Sequence, residues 1–422
     1  MNAHERVMAT LQGRPVDRVP VFAVLSTYGA KLTGAALRAH YSDAATYVAG
    51  QRAVEETFGL DLVLAPFDYS ALGEAFGGEV AWFADQAPNL KRFAARTAAE
   101  ALALPLPEPQ RTGRLPVALA SIQQLDTIYH GRVPVFAALP GPGALPAVIL
   151  GLEAWLEIVL FDEPAATRIL EWSGRFFVAW ANALLDAGAT ALVITEPVMA
   201  AEIMPRRLFA ERFLPHLRTQ LAHVRGPVVL HHTGGRIAHV LDLLPGLPGV
   251  VGVVIGSKDD LGAARGALGP ELLLLGNLDN LSLPTASVAA IRAQSLACLR
   301  TAAPAGRYIL SHSAADVPLA TPPENIRALL HASEEYAAVA AGILPAVVRG
   351  IPAAPATTAG SRSLRQAETP AATATPAAPA IPAAPATTTG SRSLRQAGTP
   401  AATPPAASLA EGFHFRGRLP HE

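Results

Sequence analysis

Two adjacent histidines in His231-His232-Thr233-Gly234 stand directly after the apolar run Pro227–Leu230, so imidazole nitrogen is delivered to whatever lies beyond a strand end. Other chemistry-bearing residues follow apolar runs in the same way. Asp68-Tyr69 comes after Leu60–Pro66, Glu196-Pro197 after Ala189–Thr195, and Asn277 and Asp279 after Leu272–Leu275. Ser311-His312-Ser313, with Asp316 beyond, comes after Tyr308–Leu310, and Ser26-Thr27-Tyr28 closes the run Val19–Leu25. An imidazole at such a place binds a metal or moves a proton, a neighbouring carboxylate tunes its charge, and Asp and Asn side chains orient a substrate by hydrogen bonding. A polar residue after a strand is also a common helix cap or turn former, and that plainer reading weighs most for Asp279 and Asp316.

The elements that must position these groups are legible as a pattern. Eight apolar runs of strand length, the six above with Val133–Leu139 and Val250–Ile255, are separated by amphipathic stretches of helical spacing. Asp43–Phe58, Pro205–Val224, Thr285–Leu299 and Pro322–Ala341 are such stretches, and they begin with Asp, Pro or Thr as helices do. Eight strands alternating with helices over residues 1–345 predict an α/β fold, a (β/α)8 TIM barrel, whose usual size is about 250 residues plus insertions. In that fold the active site lies at the C-terminal strand ends, where the polar residues cluster. A doubly wound open sheet is the alternative. It lacks its nucleotide signature here, because Gly141-Pro142-Gly143 does not continue as a dinucleotide loop and no Gly-Lys-Ser/Thr phosphate loop occurs.

Composition narrows the class further. The chain has 422 residues, 33 Lys+Arg against 34 Asp+Glu, and a single cysteine. The near-balance of charge argues against nucleic acid as a partner, and one thiol excludes disulfide scaffolds and cysteine-rich zinc folds. That thiol, Cys298, falls inside an expected helix and reads as a core residue. No apolar stretch is long enough to span a membrane and the first residues lack an apolar signal core, so a cytoplasmic location is expected. Residues 346–422 are rich in Pro, Ala and Thr. Ile351-Pro-Ala-Ala-Pro-Ala-Thr-Thr returns at Ile381, thirty residues on, and each copy runs into Gly-Ser-Arg-Ser-Leu-Arg-Gln-Ala. Such sequence cannot bury enough surface to offset chain entropy, and a disordered C-terminal tail is expected.

Several short motifs, taken in order, resemble the uroporphyrinogen decarboxylase superfamily, which also holds the cobamide-dependent (methylcobamide:thiol) methyltransferases. They are Glu5-Arg6-Val7 with Gly13-Arg14-Pro15-Val16-Asp17-Arg18-Val19-Pro20, then Pro66-Phe67-Asp68, Gly141-Pro142 and Asp162-Glu163-Pro164. Glu196-Pro197, Leu230-His231 with Gly234, Gly276-Asn277-Leu278-Asp279 and Thr321-Pro322-Pro323-Glu324-Asn325-Ile326 complete the set. The resemblance implies the (β/α)8 fold reached above from the strand count. For the decarboxylases it implies cofactor-free chemistry, with an aspartate, here Asp68, on the pyrrole N–H groups and arginines near the first strand on the substrate carboxylates. Val21–Lys31 carries one lysine and no arginine there. For the methyltransferases, which the chain resembles more closely around Glu196-Pro197 and Phe213-Leu214-Pro215, it implies a zinc ion that activates a thiol to accept a methyl group from a corrinoid on a partner protein. His231 matches the histidine ligand, whereas Thr233 and Ala315 stand where the two cysteine ligands belong.

Three readings follow. The first is a methyltransferase of corrinoid and one-carbon metabolism, with Asp68, Glu196 and His231 as catalytic residues. Tyr69, Asn277, Asp279 and His312 would bind substrate. Any zinc would be weakly held through His231, with His232, His312 and Glu196 able in principle to rebuild a site without sulfur. The second is decarboxylation of a tetrapyrrole in porphyrin biosynthesis, centred on Asp68 and needing no cofactor. The third is a non-catalytic protein that binds a corrinoid or its carrier protein.

Overall fold

The computed structural model describes residues 1–314 and 316–342; the Pro/Ala/Thr-rich stretch expected to be a disordered tail, and Ala315, lie outside the described residues. Among the described residues there are nine strands: β1 Val63–Leu64, β2 Glu79–Ala81, β3 Asn89–Arg92, β4 Val135–Pro140, β5 Ala191–Thr195, β6 Val228–His231, β7 Val250–Val254, β8 Leu273–Leu278 and β9 Tyr308–His312. Seven of them form one parallel sheet in the order β1-β4-β5-β6-β7-β8-β9, while β2 and β3 pair antiparallel outside it. Sequential neighbours in a parallel sheet require crossovers, and helices supply them, as the alternating pattern predicts.

The first apolar run is not a regular strand, yet it occupies the remaining position of the barrel. Val21 bridges to Leu310 in parallel, Phe22 N–H donates to the Leu310 carbonyl at 3.0 Å, and on the other side Asp61 N–H donates to the Val21 carbonyl at 3.0 Å. The curled sheet is thereby closed between β9 and the start of β1. Two arginines lock that closure. Arg6 and Arg18 each meet the buried Asp61 carboxylate at 2.6 Å, and the same carboxylate accepts the Val21 N–H at 2.7 Å. The N-terminal Glu-Arg-Val and Val-Asp-Arg-Val-Pro motifs are therefore structural: they button the first segment onto the bottom of the sheet.

Period-two alternation sorts the strand residues into two cores. Leu192, Ile194, Val228 and Leu230 face the surrounding helices. Ala191, Val193, Val229, Leu273, Leu275 and Ile309 fill the interior with Phe22, Val24, Leu64 and Phe136. Val7, from the helix Ala3–Leu11, joins the interior cluster and plugs its N-terminal end. The expected helices form close to their expected bounds: Ala44–Phe58 capped by Asp43, Val288–Ala302 capped by Ser287, and Pro323–Ala340. The stretch from Arg206 to Leu221 is helical with a π-turn at Phe209–Phe213, where the following Pro215 has no N–H to continue an α-helical ladder.

Candidate functional site

The C-terminal half of the barrel interior holds a cavity of about 500 Å³, counting the open space at its mouth. Its floor is apolar, set by Phe22, Val24, Leu64, Phe136, Val193, Val229, Val254 and Leu275, and its polar groups come from Thr195, His231, Ser311 and His312. No lysine or arginine is among the residues that line it. A second recess, lined by Tyr41, Asp68, Tyr69, Arg114 and Trp180 among others, shares Phe67 and Ala138 with the first.

His231 ends β6 on the interior side of the alternation. Its Nδ1 accepts the Thr233 N–H at 2.7 Å, so the proton of the neutral ring sits on Nε2, which faces the Ala314 carbonyl at 3.3 Å. Burial, then the neighbouring His232 and His312 rings, hold its pKa well below the usual histidine value. His312 accepts the Val24 N–H on Nε2 at 2.9 Å, which leaves the proton on a buried Nδ1 that has no hydrogen-bond partner. Burial lowers its pKa to about 4. Both rings are therefore neutral at physiological pH. His232 turns to the opposite face of the strand, where its Nδ1 meets the Val254 carbonyl at 3.1 Å.

Glu196 is 2 % exposed and shares the outward parity of Leu192 and Ile194, so it leans towards the loop after β4 and not into the cavity. Gly143 N–H donates to Oε2 at 2.8 Å, and Oε1 has no partner. The glycines of Gly141-Pro142-Gly143 are required here. A Cβ on Gly141 would run into Oε2, and one on Gly143 would lie 2.7 Å from Oε1. Burial drives the carboxyl up to about 8, so it is a protonated acid at neutral pH.

Asp68 caps the helix Tyr69–Ala75, with Oδ1 accepting from the Ser70 N–H and hydroxyl at 2.8 and 2.6 Å. Its other oxygen is ion-paired with Arg114, a buried guanidinium that also binds Glu74 at 2.7 Å and lies over the Trp82 ring. Asp68 thus borders the second recess with both oxygens engaged. Tyr69 hydrogen-bonds Thr195 at the rim of the interior cavity. Asn277 is turned away from the interior, its amide spanning the Gly256 and Asp259 carbonyls, each at 2.9 Å, with the Cys298 thiol beside its oxygen. Asp279 is exposed and accepts the Leu281 N–H as a turn former. Asp316, read as a turn former, is buried and holds the Ser26 and Thr27 N–H groups at 2.9 and 2.7 Å, tying the first segment to the loop after β9. The expected residues thus divide: His231 and His312 line one cavity, Asp68 and Tyr69 border its neighbour, with Tyr69 reaching Thr195 of the first, and Glu196, Asn277 and Asp279 serve adjoining loops. Thr195 was missed, and Ser311 was named at its strand end without a role. They continue the interior alternation of Val193 and Ile309, and that parity was the available signal.

The zinc site raised from the sequence is not rebuilt. Among the described residues no group of three or more His, Cys, Asp or Glu could hold a metal. Thr233 offers no ligand, because its hydroxyl donates to the His232 carbonyl at 2.8 Å and its N–H occupies His231 Nδ1. The alternative set fails for a geometric reason: adjacent residues on a strand face opposite ways, so His231 and His232 cannot converge, and Glu196 lies under the glycine loop. The residues present do not fit a zinc ion.

Fold and site together define a parallel α/β barrel with a neutral pocket at the C-terminal ends of its strands. Residues 2–336 match the family described as Uroporphyrinogen decarboxylase (URO-D), and the chain belongs to that family. Among curated relatives it is 27 % identical over 337 residues to the Methylcobamide:CoM methyltransferase MtaA of Methanosarcina barkeri, covering 78 % of this chain and 97 % of the relative. It is 26 % identical over 348 residues to the uroporphyrinogen decarboxylase of Alkalilimnicola ehrlichii, covering 78 % and 93 %. A solved methyltransferase from Methanosarcina mazei superposes with a TM-score of 0.72 at 23 % identity, covering 80 % of this chain and 99 % of that one, and shares the fold.

Proposed function

We propose that the chain is a methyltransferase of one-carbon metabolism that takes a methyl group from a corrinoid (methylcobamide) presented by a partner protein, in the cytoplasm. The observation that carries this reading is the uncharged interior cavity. A tetrapyrrole with many carboxylates needs guanidinium partners to offset its desolvation, and no cation lines this cavity. Arg114, in the adjoining recess, is already committed to Asp68 and Glu74. An apolar floor with two neutral imidazoles suits a small uncharged or singly charged acceptor instead. The names of the methyltransferase relatives support the same reading, with one difference at the acceptor. Without thiolate ligands to select and hold zinc, a thiol would not be activated as a metal thiolate, so the favoured acceptor is one that needs no metal and can be oriented by the His231 Nε2–H.

The test is spectroscopic. Purified protein is mixed with methylcobalamin and a panel of thiol and non-thiol acceptors, and loss of the methyl–cobalt chromophore is followed. Acceptor-dependent demethylation, unaffected by chelator, is the expected result. Uroporphyrinogen consumption without demethylation would replace the proposal with the decarboxylase reading. Tight corrinoid binding with neither turnover would replace it with the non-catalytic one.

A further inference from the structure

The two imidazoles that line the interior cavity each carry a hydrogen-bond donor. Each has its tautomer set by a backbone amide on the far nitrogen: Thr233 N–H on His231 Nδ1, and Val24 N–H on His312 Nε2. Each therefore presents an N–H from the other nitrogen, and both rings line the same cavity. His231 Nε2 lies 3.3 Å from the Ala314 carbonyl, and His312 Nδ1 is buried without a partner. A buried donor left unsatisfied is costly, so one oxygen brought between the rings would satisfy His312 while replacing the long bond at His231 with a good one.

We propose that His231 and His312 form a two-donor clamp for a single oxygen of the small-molecule substrate, a carboxylate or carbonyl oxygen, which takes the place beside the rings now held by the Ala314 carbonyl. The chemistry of the surroundings selects this class. A thiol is a poor acceptor for two N–H groups, and a phosphate dianion would want cations that the cavity lining lacks. A carboxylate or carbonyl oxygen with an apolar remainder matches both the donors and the apolar floor. Such a clamp makes His231 a substrate-binding group through Nε2, whereas a metal ligand would need that nitrogen unprotonated. The inference rests on the proposed function only in placing the substrate inside the barrel.

The experiment uses the full chain labelled with nitrogen-15 histidine, with acetate as the probe. Long-range nitrogen–proton spectra at neutral pH are expected to show His231 protonated on Nε2 and His312 on Nδ1. Acetate is expected to shift both signals saturably. His231→Leu and His312→Leu should each weaken acetate binding at least about tenfold, while His231→Gln and His312→Asn, which keep an amide N–H near the donor position, should restore most of it. The opposite tautomer at either ring, rings unmoved by acetate, or undiminished acetate binding in both leucine variants would overturn the clamp. Should the leucine variants fail to fold, the tautomers and the acetate response of the unmodified protein decide the matter. The methylcobalamin assay is read separately: acetate binding without demethylation removes the methyltransferase and keeps the clamp, and the converse removes the clamp alone.

Discussion

Glu196 shows how burial changes what a residue is. With its carboxyl raised from 4.5 to about 8 by desolvation, the folded chain binds a proton that the unfolded chain has released, so the stability it contributes is lost as pH rises towards 8. The three buried histidines of the strand ends act in the opposite sense: their lowered pKa values withdraw stability as pH falls through 6.5, and their slope fades only about one pH unit above that value. Between 6.5 and 8 the histidine slope fades while the Glu196 slope persists, so the difference between the wild type and Glu196→Gln isolates the carboxyl. Urea unfolding at steps across that window is expected to show the wild type losing up to about 2 kcal/mol relative to Glu196→Gln. Parallel profiles of the two proteins would place the titrating group elsewhere. His231 supplies a second test at the same scale. With Nδ1 taken by Thr233, protein prepared without chelator should carry well below one zinc per chain by elemental analysis, and His231→Gln should leave that content unchanged.

Among the elements, the irregular first segment depends on side chains where regular strands depend on ladders. Among the described residues Val21 alone bridges to β9, backbone bonds join Phe22 and Pro20 to Leu310, and side chains hold the rest of the seam: Asp61 with Arg6 and Arg18 below, His312 on the Val24 N–H, and Asp316 with Ser26 and Thr27 above. The Asp61 side chain is 1 % exposed, so removing it takes the buried carboxylate from two guanidinium groups, leaves Arg18 with the Val19 carbonyl and Arg6 with its outer partners, and leaves the Val21 N–H without its acceptor. Asp61→Ala is expected to destabilise the fold by about 3–5 kcal/mol, the cost of breaking a buried ion pair on one side. Asp17, whose side chain is 42 % exposed, also pairs with Arg6, and Asp17→Ala should cost markedly less in the same denaturation series. Equal losses would contradict the division between a buried and a solvated arm.

At the scale of the whole molecule, the described residues within 1–342 already supply a closed ring of strands with its helices and the two cavities named above. We propose that residues 1–345 fold as a unit without the Pro/Ala/Thr-rich remainder, whose composition provides no core. A chain ended at Pro345 should melt within a few degrees of the full chain and keep its methylcobalamin and acetate responses. A large drop in melting temperature would show that the repeat-bearing stretch contributes contacts.

Strand order, helix starts and the barrel itself were legible because they depend on short-range pattern: apolar runs, period-two alternation, and Asp or Ser at helix starts such as Asp43 and Ser287. Family membership was legible because motifs such as Gly13-Arg14-Pro15 and Glu196-Pro197 keep their order along the chain. The same motifs did not disclose their roles. That Arg6 serves Asp61, fifty-five positions away, and that Arg114 occupies Asp68 are facts of three-dimensional neighbourhood that no local spacing contains. Nor could a residue's place after a strand tell inward from outward at the barrel mouth. His231 and His312 face the cavity while Glu196 and Asn277 turn into neighbouring loops, because each strand end is steered by the glycine loops and backbone amides packed against it. Residue types set which chemistry was available; tertiary packing decided which nitrogens keep their protons and where those protons point.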